Sequence, residues 1–160
     1  MGKRRGFTLI EVVIVLVVAG LLVSIVVNSF GRTQTRMAPR AAQSQFLTMH
    51  AHTRALAVER GVLARLYVDP SAGVVSVFLQ HTPNQNLPED WELVMSRDFV
   101  ASYGVRIETS PPDSVVLAMT PRGYASPAQN SFNGEGRVRF VRGDQAREVV
   151  LLPLGQAVQP

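Results

Sequence analysis

The chain has 160 residues, 46% hydrophobic and 18% charged, with no cysteine and a formal net charge of +4. The lack of cysteine excludes a disulfide framework, a thiolate metal site and a cysteine nucleophile. Of the 16 basic residues, Lys3, Arg4 and Arg5 cluster at the start, and the rest nearly balance the 12 acidic ones, so bulk charge does not imply nucleic-acid binding.

From Phe7 to Val27 the chain is apolar except for Thr8, Glu11 and Ser24. As a helix rising about 1.5 Å per residue this run covers about 31 Å, enough for a bilayer core of about 30 Å. A carboxylate within such a segment costs about 2.5–3.5 kcal/mol at mid-membrane, which makes Glu11 a functional suspect. The alternative is a carboxylate that snorkels to the nearer interface. A secretory signal has a shorter apolar stretch, roughly 7–15 residues, with a small-residue cleavage site after it. Here the run continues into VVNSFGRTQ with no such site, and the small-residue junction, Gly6-Phe7, precedes the run. Charge does not orient the segment, because Arg32, Arg36 and Arg40 flank its far end.

Residues 28–60 continue as an amphipathic helix, with Ala42, Phe46, Met49, Leu56 and Ala57 recurring at spacings of three and four. Arg32, Arg36 and Arg40 step by four along one face, which suits solvent, lipid headgroups or an acidic neighbour. Pro39 is expected to kink or loosen the helix, and Gly61 to cap it. From Val62 the period becomes that of strands. VLARLYV (62–68) and VVSVFL (74–79) form a hairpin across DPSAG, and 81–90 is loop by composition. Short strands follow at 92–95, 105–109 and 114–119, then a polar loop over 121–136. RVRFVR (137–142) and AREVVLLP (146–153) form a second hairpin across Gly143-Asp144, with Arg137 and Arg139 on one face and Val138 and Phe140 on the other.

A catalytic constellation is not evident. His50 and His52 stand two apart on a helix, on different sides, and His81 has no signature around it. Asp98, Asp113 and Asp144 show no calcium-loop pattern, and no phosphate-loop or HExxH motif occurs. The expectation is therefore no enzyme, no cofactor and no metal. Trp91, the single tryptophan, suits an anchor at the edge of a core.

Lys3-Arg4-Arg5-Gly6-Phe7-Thr8-Leu9-Ile10-Glu11 and the apolar run after it resemble the signal of type IV pilins and type II secretion pseudopilins. The resemblance implies cleavage after Gly6 by a prepilin peptidase, N-methylation of Phe7, and an assembly role for Glu11. In that family the glutamate of one subunit is thought to meet the α-amino group of the residue corresponding to Phe7 in its neighbour, each charge offsetting the burial cost of the other. The implied organisation is a leader (1–6), the transmembrane half of a long helix (7–30), an amphipathic half (31–60) and a β-rich head (61–160). The implied fold class is α+β, a long N-terminal helix packed on a small all-β head of short antiparallel strands.

The head is similar to those of H-type pseudopilins and FimT-like minor pilins. The lack of cysteine, and the few acids after Tyr124, depart from major subunits and favour a minor one. The implied product is a single-pass inner-membrane protein, N-terminus cytoplasmic and head periplasmic, that enters a pseudopilus or pilus-like filament. Its implied partners are other pilins or pseudopilins, the prepilin peptidase, an inner-membrane assembly platform and membrane lipid. Two alternatives stand beside it. One is a DNA-binding minor pilin, because some FimT-like pilins hold DNA with a Gly-Arg-x-Arg element, matched here by Gly136-Arg137-Val138-Arg139, with Arg142 as a further candidate contact. The other is an unprocessed bitopic anchor.

Overall fold

The computed structural model describes residues 9–81 and 90–160, and only the backbone of residues 25–34. The chain divides into two compact units, Met1–Thr35 and Arg36–Pro160, and helix α1 (Leu9–Arg60) contributes to both. The expected cleavage junction, Gly6-Phe7, and most of the 81–90 loop lie outside the described residues.

The two stretches of α1 differ in pattern. In the first unit the valine, leucine and isoleucine side chains from Leu9 to Val23 are exposed on every side of the helix, Leu9 at 84% and Leu16 at 67%. Glu11 is exposed among them. In the second unit a single stripe is buried: Ala38, Ala42, Phe46, Met49, Thr53, Leu56 and Ala57, spaced by three and four as a core-facing helix requires. The helix is continuous through Pro39, which is itself buried. Its end falls at Gly61, whose φ of +66° is the left-handed conformation that glycine adopts most readily.

The strands form two four-stranded antiparallel sheets. The first has the order β3 (Trp91–Asp98), β2 (Val74–Gln80), β1 (Ala64–Asp69), β5 (Val115–Met119). The second has the order β4 (Arg106–Ser110), β6 (Gly136–Arg142), β7 (Gln145–Leu151), β8 (Ala157–Val158). Alternation sends Ala64, Leu66 and Val68 of the first sheet, and Val138 and Phe140 of the second, into one core with the helix stripe. At its centre the Phe140 ring lies 5.6 Å from that of Phe46 and 5.4 Å from that of Phe99, stacked on the latter. Phe99 is delivered by the short helix α2 (Phe99–Tyr103), whose N-cap Asp98 accepts a hydrogen bond from the Ala101 amide and whose C-cap is Gly104. Neither α2 nor β8 was expected from periodicity, and β3 extends three residues past the expected end at residue 95.

Polar groups of α1 fix the head's C-terminal part to it. Gln43 Nε2 donates to the Glu148 carbonyl at 2.7 Å. His50 Nε2 and Arg54 Nη2 both meet the Gly155 carbonyl, at 2.9 and 3.0 Å. Because a carbonyl only accepts, His50 must carry its proton on Nε2. Gly155 itself is constrained: its φ is +92°, and an added Cβ would lie 3.0 Å from the Ala125 amide nitrogen.

Burial lowers the His50 pKa below the ordinary histidine value, outweighing the Gly155 hydrogen bond that would raise it, and the nearby Arg54 lowers it further. A folded-state pKa below the unfolded one gives stability that is complete above about pH 6.5 and is lost as pH falls towards the folded value. The thermal midpoint of the full chain in detergent should therefore drop between about pH 7 and about pH 5, and His50→Gln, which keeps a donor, should flatten that drop. An equal acid response in both proteins would exclude His50 as the cause.

Candidate functional site

Two regions carry the residues singled out in the sequence, and they belong to different units. The first is the N-terminal stretch. Gly6 and Phe7 lie outside the described residues, while Glu11 sits in the first turn of the described helix, in a segment otherwise apolar as far as Val23. Among the described residues no helix is long and apolar enough to cross a membrane. The described side chains of this run stop at Ser24.

The second region is the outward face of the second sheet. Strand alternation along β6 buries Gly136, Val138 and Phe140 and exposes Arg137 and Arg139. The register sets Arg139 opposite Glu108 of β4 on one side and opposite Glu148 of β7 on the other. Arg139 pairs with Glu108 at 3.3 Å, and Glu108 also pairs with Arg106. Arg137 pairs with Glu135 at 3.0 Å and with Glu148 at 3.2 Å. Three arginines and three glutamates thus form a mixed-charge ladder around a shallow open depression lined by Glu108, Thr109, Ser110, Arg137, Arg139 and Glu148. The ladder is partly exposed, so each pair contributes only about 0.2–1 kcal/mol and is readily exchanged.

Arg142 does not share this face. It falls on the opposite parity of the strand, where its Nη1 donates to the Tyr103 carbonyl at 2.8 Å and its guanidinium packs beside Gly104. That contact satisfies a carbonyl at the C-terminal end of α2, a structural task. Glu108 escaped sequence reasoning because it becomes a neighbour of Arg139 only through the pairing of β4 with β6. His50 is buried and His52 exposed, so the two do not converge.

The first 27 residues match the model of the prokaryotic N-terminal methylation motif. No curated protein matches the chain. Among solved structures the chain is similar to the type IV minor pilin FimU of Pseudomonas aeruginosa strain PAO1 in two crystal forms. One aligns with a TM-score of 0.54 at 12% identity, over 78% of this chain and 90% of that one. The other aligns with a TM-score of 0.52 at 12% identity, over 76% and 91%. At that identity the likeness is one of fold. The chain thus joins an N-terminal methylation motif to a helix packed on antiparallel sheets, the fold of that minor pilin.

If the ladder holds phosphates, binding of duplex DNA by the full chain in detergent should weaken with salt, and the double change Arg137→Ala, Arg139→Ala should flatten the log–log slope by about two. Glu108→Gln with Glu148→Gln should tighten binding, because the phosphates would no longer compete with carboxylates. An absence of binding at low salt would leave the ladder as a solvated face.

Proposed function

We propose that the chain is a minor subunit of a type II secretion pseudopilus or a related type IV pilus-like filament. It is made as a prepilin, cut between Gly6 and Phe7, methylated on Phe7 and held in the inner membrane by its apolar helix until assembly. One observation carries the reading: a methylation motif over residues 1–27 precedes a head with the pilin-like fold. The exposed apolar surface from Leu9 to Val23 supports it, since a helix hydrophobic all round needs either lipid or other helices around it. The partners are then other filament subunits, the prepilin peptidase and the inner-membrane assembly platform, and the work is mechanical and not catalytic.

Glu11 acts in this reading as a register device. A carboxylate transferred from lipid into a bundle of apolar helices favours the axial position where the Phe7 amine of a neighbour lies within reach, because misregistered positions leave both charges buried alone. Apolar side chains cannot supply that discrimination, since one valine against another is nearly equivalent to the next. A second reading, DNA uptake, is favoured by the exposed Arg137 and Arg139 and opposed by the glutamates that already pair with both.

Intact-mass measurement on the protein extracted from its own host should show loss of Met1–Gly6 and the addition of one methyl group. A mature chain that still begins at Met1 would instead indicate an unprocessed anchor. Glu11→Ala should still be cleaved, because Glu11 lies four residues beyond Phe7 and is not part of the scissile junction. It should nevertheless be depleted from isolated filaments by about tenfold or more, since breaking a buried pair costs about 3–5 kcal/mol. Normal incorporation of Glu11→Ala would reduce Glu11 to a snorkelling passenger.

A further inference from the structure

The loop that leads into β6 holds the single Asn-Gly pair of the chain, Asn133-Gly134. It is pinned on both sides. Phe132 is buried, and its ring lies so near the Gly136 backbone that a Cβ added there would fall 2.8 Å from it. Between these anchors Asn133, Gly134 and Glu135 stand exposed. Gly134 has a φ of +86°, and nothing lies within 4 Å of where its Cβ would be. Among the described residues no hydrogen bond holds the Asn133 side chain or the Gly134 amide. Exposed backbone without hydrogen bonds changes conformation at little free-energy cost.

Such a pair carries its own chemistry. The amide carbon of an asparagine side chain can be reached by the backbone nitrogen of the next residue, closing a five-membered ring. A side chain on that next residue obstructs the approach, and glycine removes the obstruction. Asn130-Ser131, in the same loop, is the contrasting case. Asn130 Oδ1 accepts from the Ala118 amide at 3.1 Å, and its Nδ2 donates to the Pro153 carbonyl at 3.1 Å. The Ser131 amide donates to the Val116 carbonyl at 3.0 Å. Both partners of a ring closure are therefore tied down at Asn130, and neither is at Asn133.

We propose that Asn133 is a self-modification site, converted through a cyclic imide into aspartate and isoaspartate with solvent water as the co-reactant. The Gly134 nitrogen forms a bond to Asn133 Cγ, the Cγ–Nδ2 bond breaks, and ammonia leaves with the proton that the Gly134 amide gives up. Water then opens the imide at either carbonyl. Attack at Cγ yields aspartate, and attack at the main-chain carbonyl carbon of Asn133 yields isoaspartate, in which the chain runs through Cγ. Either product places a carboxylate two residues before Glu135, which pairs with Arg137 at 3.0 Å. The ladder of three arginines and three glutamates then has a fourth carboxylate beside it, and the outward face of the second sheet turns from balanced to net negative as the protein ages. The site stands on the head alone and does not depend on filament membership.

The full chain in detergent would be aged at neutral pH beside a blocked peptide of residues 131–137, and both sampled by peptide mapping with mass spectrometry. Isoaspartate would be read by methyl transfer with a protein-isoaspartate methyltransferase as reagent. The folded chain should exchange ammonia for water at Asn133, at a rate within about tenfold of the peptide, because the loop opens easily. Isoaspartate should appear alongside aspartate, since direct hydrolysis of the amide would give aspartate alone. Asn130 should keep its amide in the same digests. Aged protein should be retained longer on an anion exchanger, as fresh Asn133→Asp is, whereas Asn133→Gln, at an exposed position, should keep both its thermal midpoint and its elution on ageing. A folded-chain rate more than about tenfold below that of the peptide overturns the proposal. So does a product without isoaspartate, or conversion of Asn130 as fast as that of Asn133.

Discussion

Neither sheet of the head is complete without the buried stripe of α1. Each four-stranded sheet turns one apolar face inward, and such a face is stable only against another packed layer. Residues 38–57 of the helix supply it, with Phe46 meeting Phe140 of the second sheet and Met49, Leu56 and Ala57 sharing the same core as Leu66 and Val68 of the first. The stripe combines small residues, Ala38, Ala42 and Ala57, with the large side chains of Phe46, Met49 and Leu56. Polar contacts from Gln43, His50 and Arg54 to the carbonyls of Glu148 and Gly155 then set the position of the strands along the helix. Apolar contact provides most of the stabilisation and the hydrogen bonds provide direction, since net hydrogen-bond contributions are only about 0.5–1.5 kcal/mol each.

Much of this was legible in the sequence because it rests on period. The spacing of Ala42, Phe46, Met49, Leu56 and Ala57 identified the buried stripe, and the strand over 74–79 and the hairpin across Gly143-Asp144 fell where alternation and turn chemistry placed them. Gly61 and Gly143, at φ of +66° and +60°, adopt the left-handed backbone that their positions at a helix end and in a tight turn require. What escaped was short or at an edge. Helix α2 has five residues, too few to show a period, although Asp98 and Gly104 at its two ends were a capping signal in plain view. Strand β3 lies at a sheet edge and is exposed along most of its length, so its last residues, Ser96 to Asp98, carry no apolar alternation to recognise.

The arginine hairpin shows a different limit. Parity along β6 separates Arg142 from Arg137 and Arg139 and is readable from sequence alone. The charge that faces them is not readable, because Glu108 is brought into reach by the pairing of β4 with β6, from far along the chain. Counting local charge over the hairpin therefore overstates how electropositive the folded face is. Three glutamates and three arginines interleave on it, and any anion that binds there has to displace a carboxylate.

The two stretches of α1 impose opposite demands on recognition. From Leu9 to Val23 the surface is apolar on all sides, and dispersion between such helices is strong in sum but nearly indifferent to register. On the proposed function, one carboxylate in that stretch gives the packing a preferred position. The head faces the converse problem: its outward surfaces meet water, and a contact made there must be specific to persist. Its two outward sheet faces differ in chemistry, one carrying a ladder of balanced charge and the other an aromatic corner beside Arg65. In the proposed filament, a subunit that shares its apolar helix chemistry with its neighbours is distinguished from them by its head.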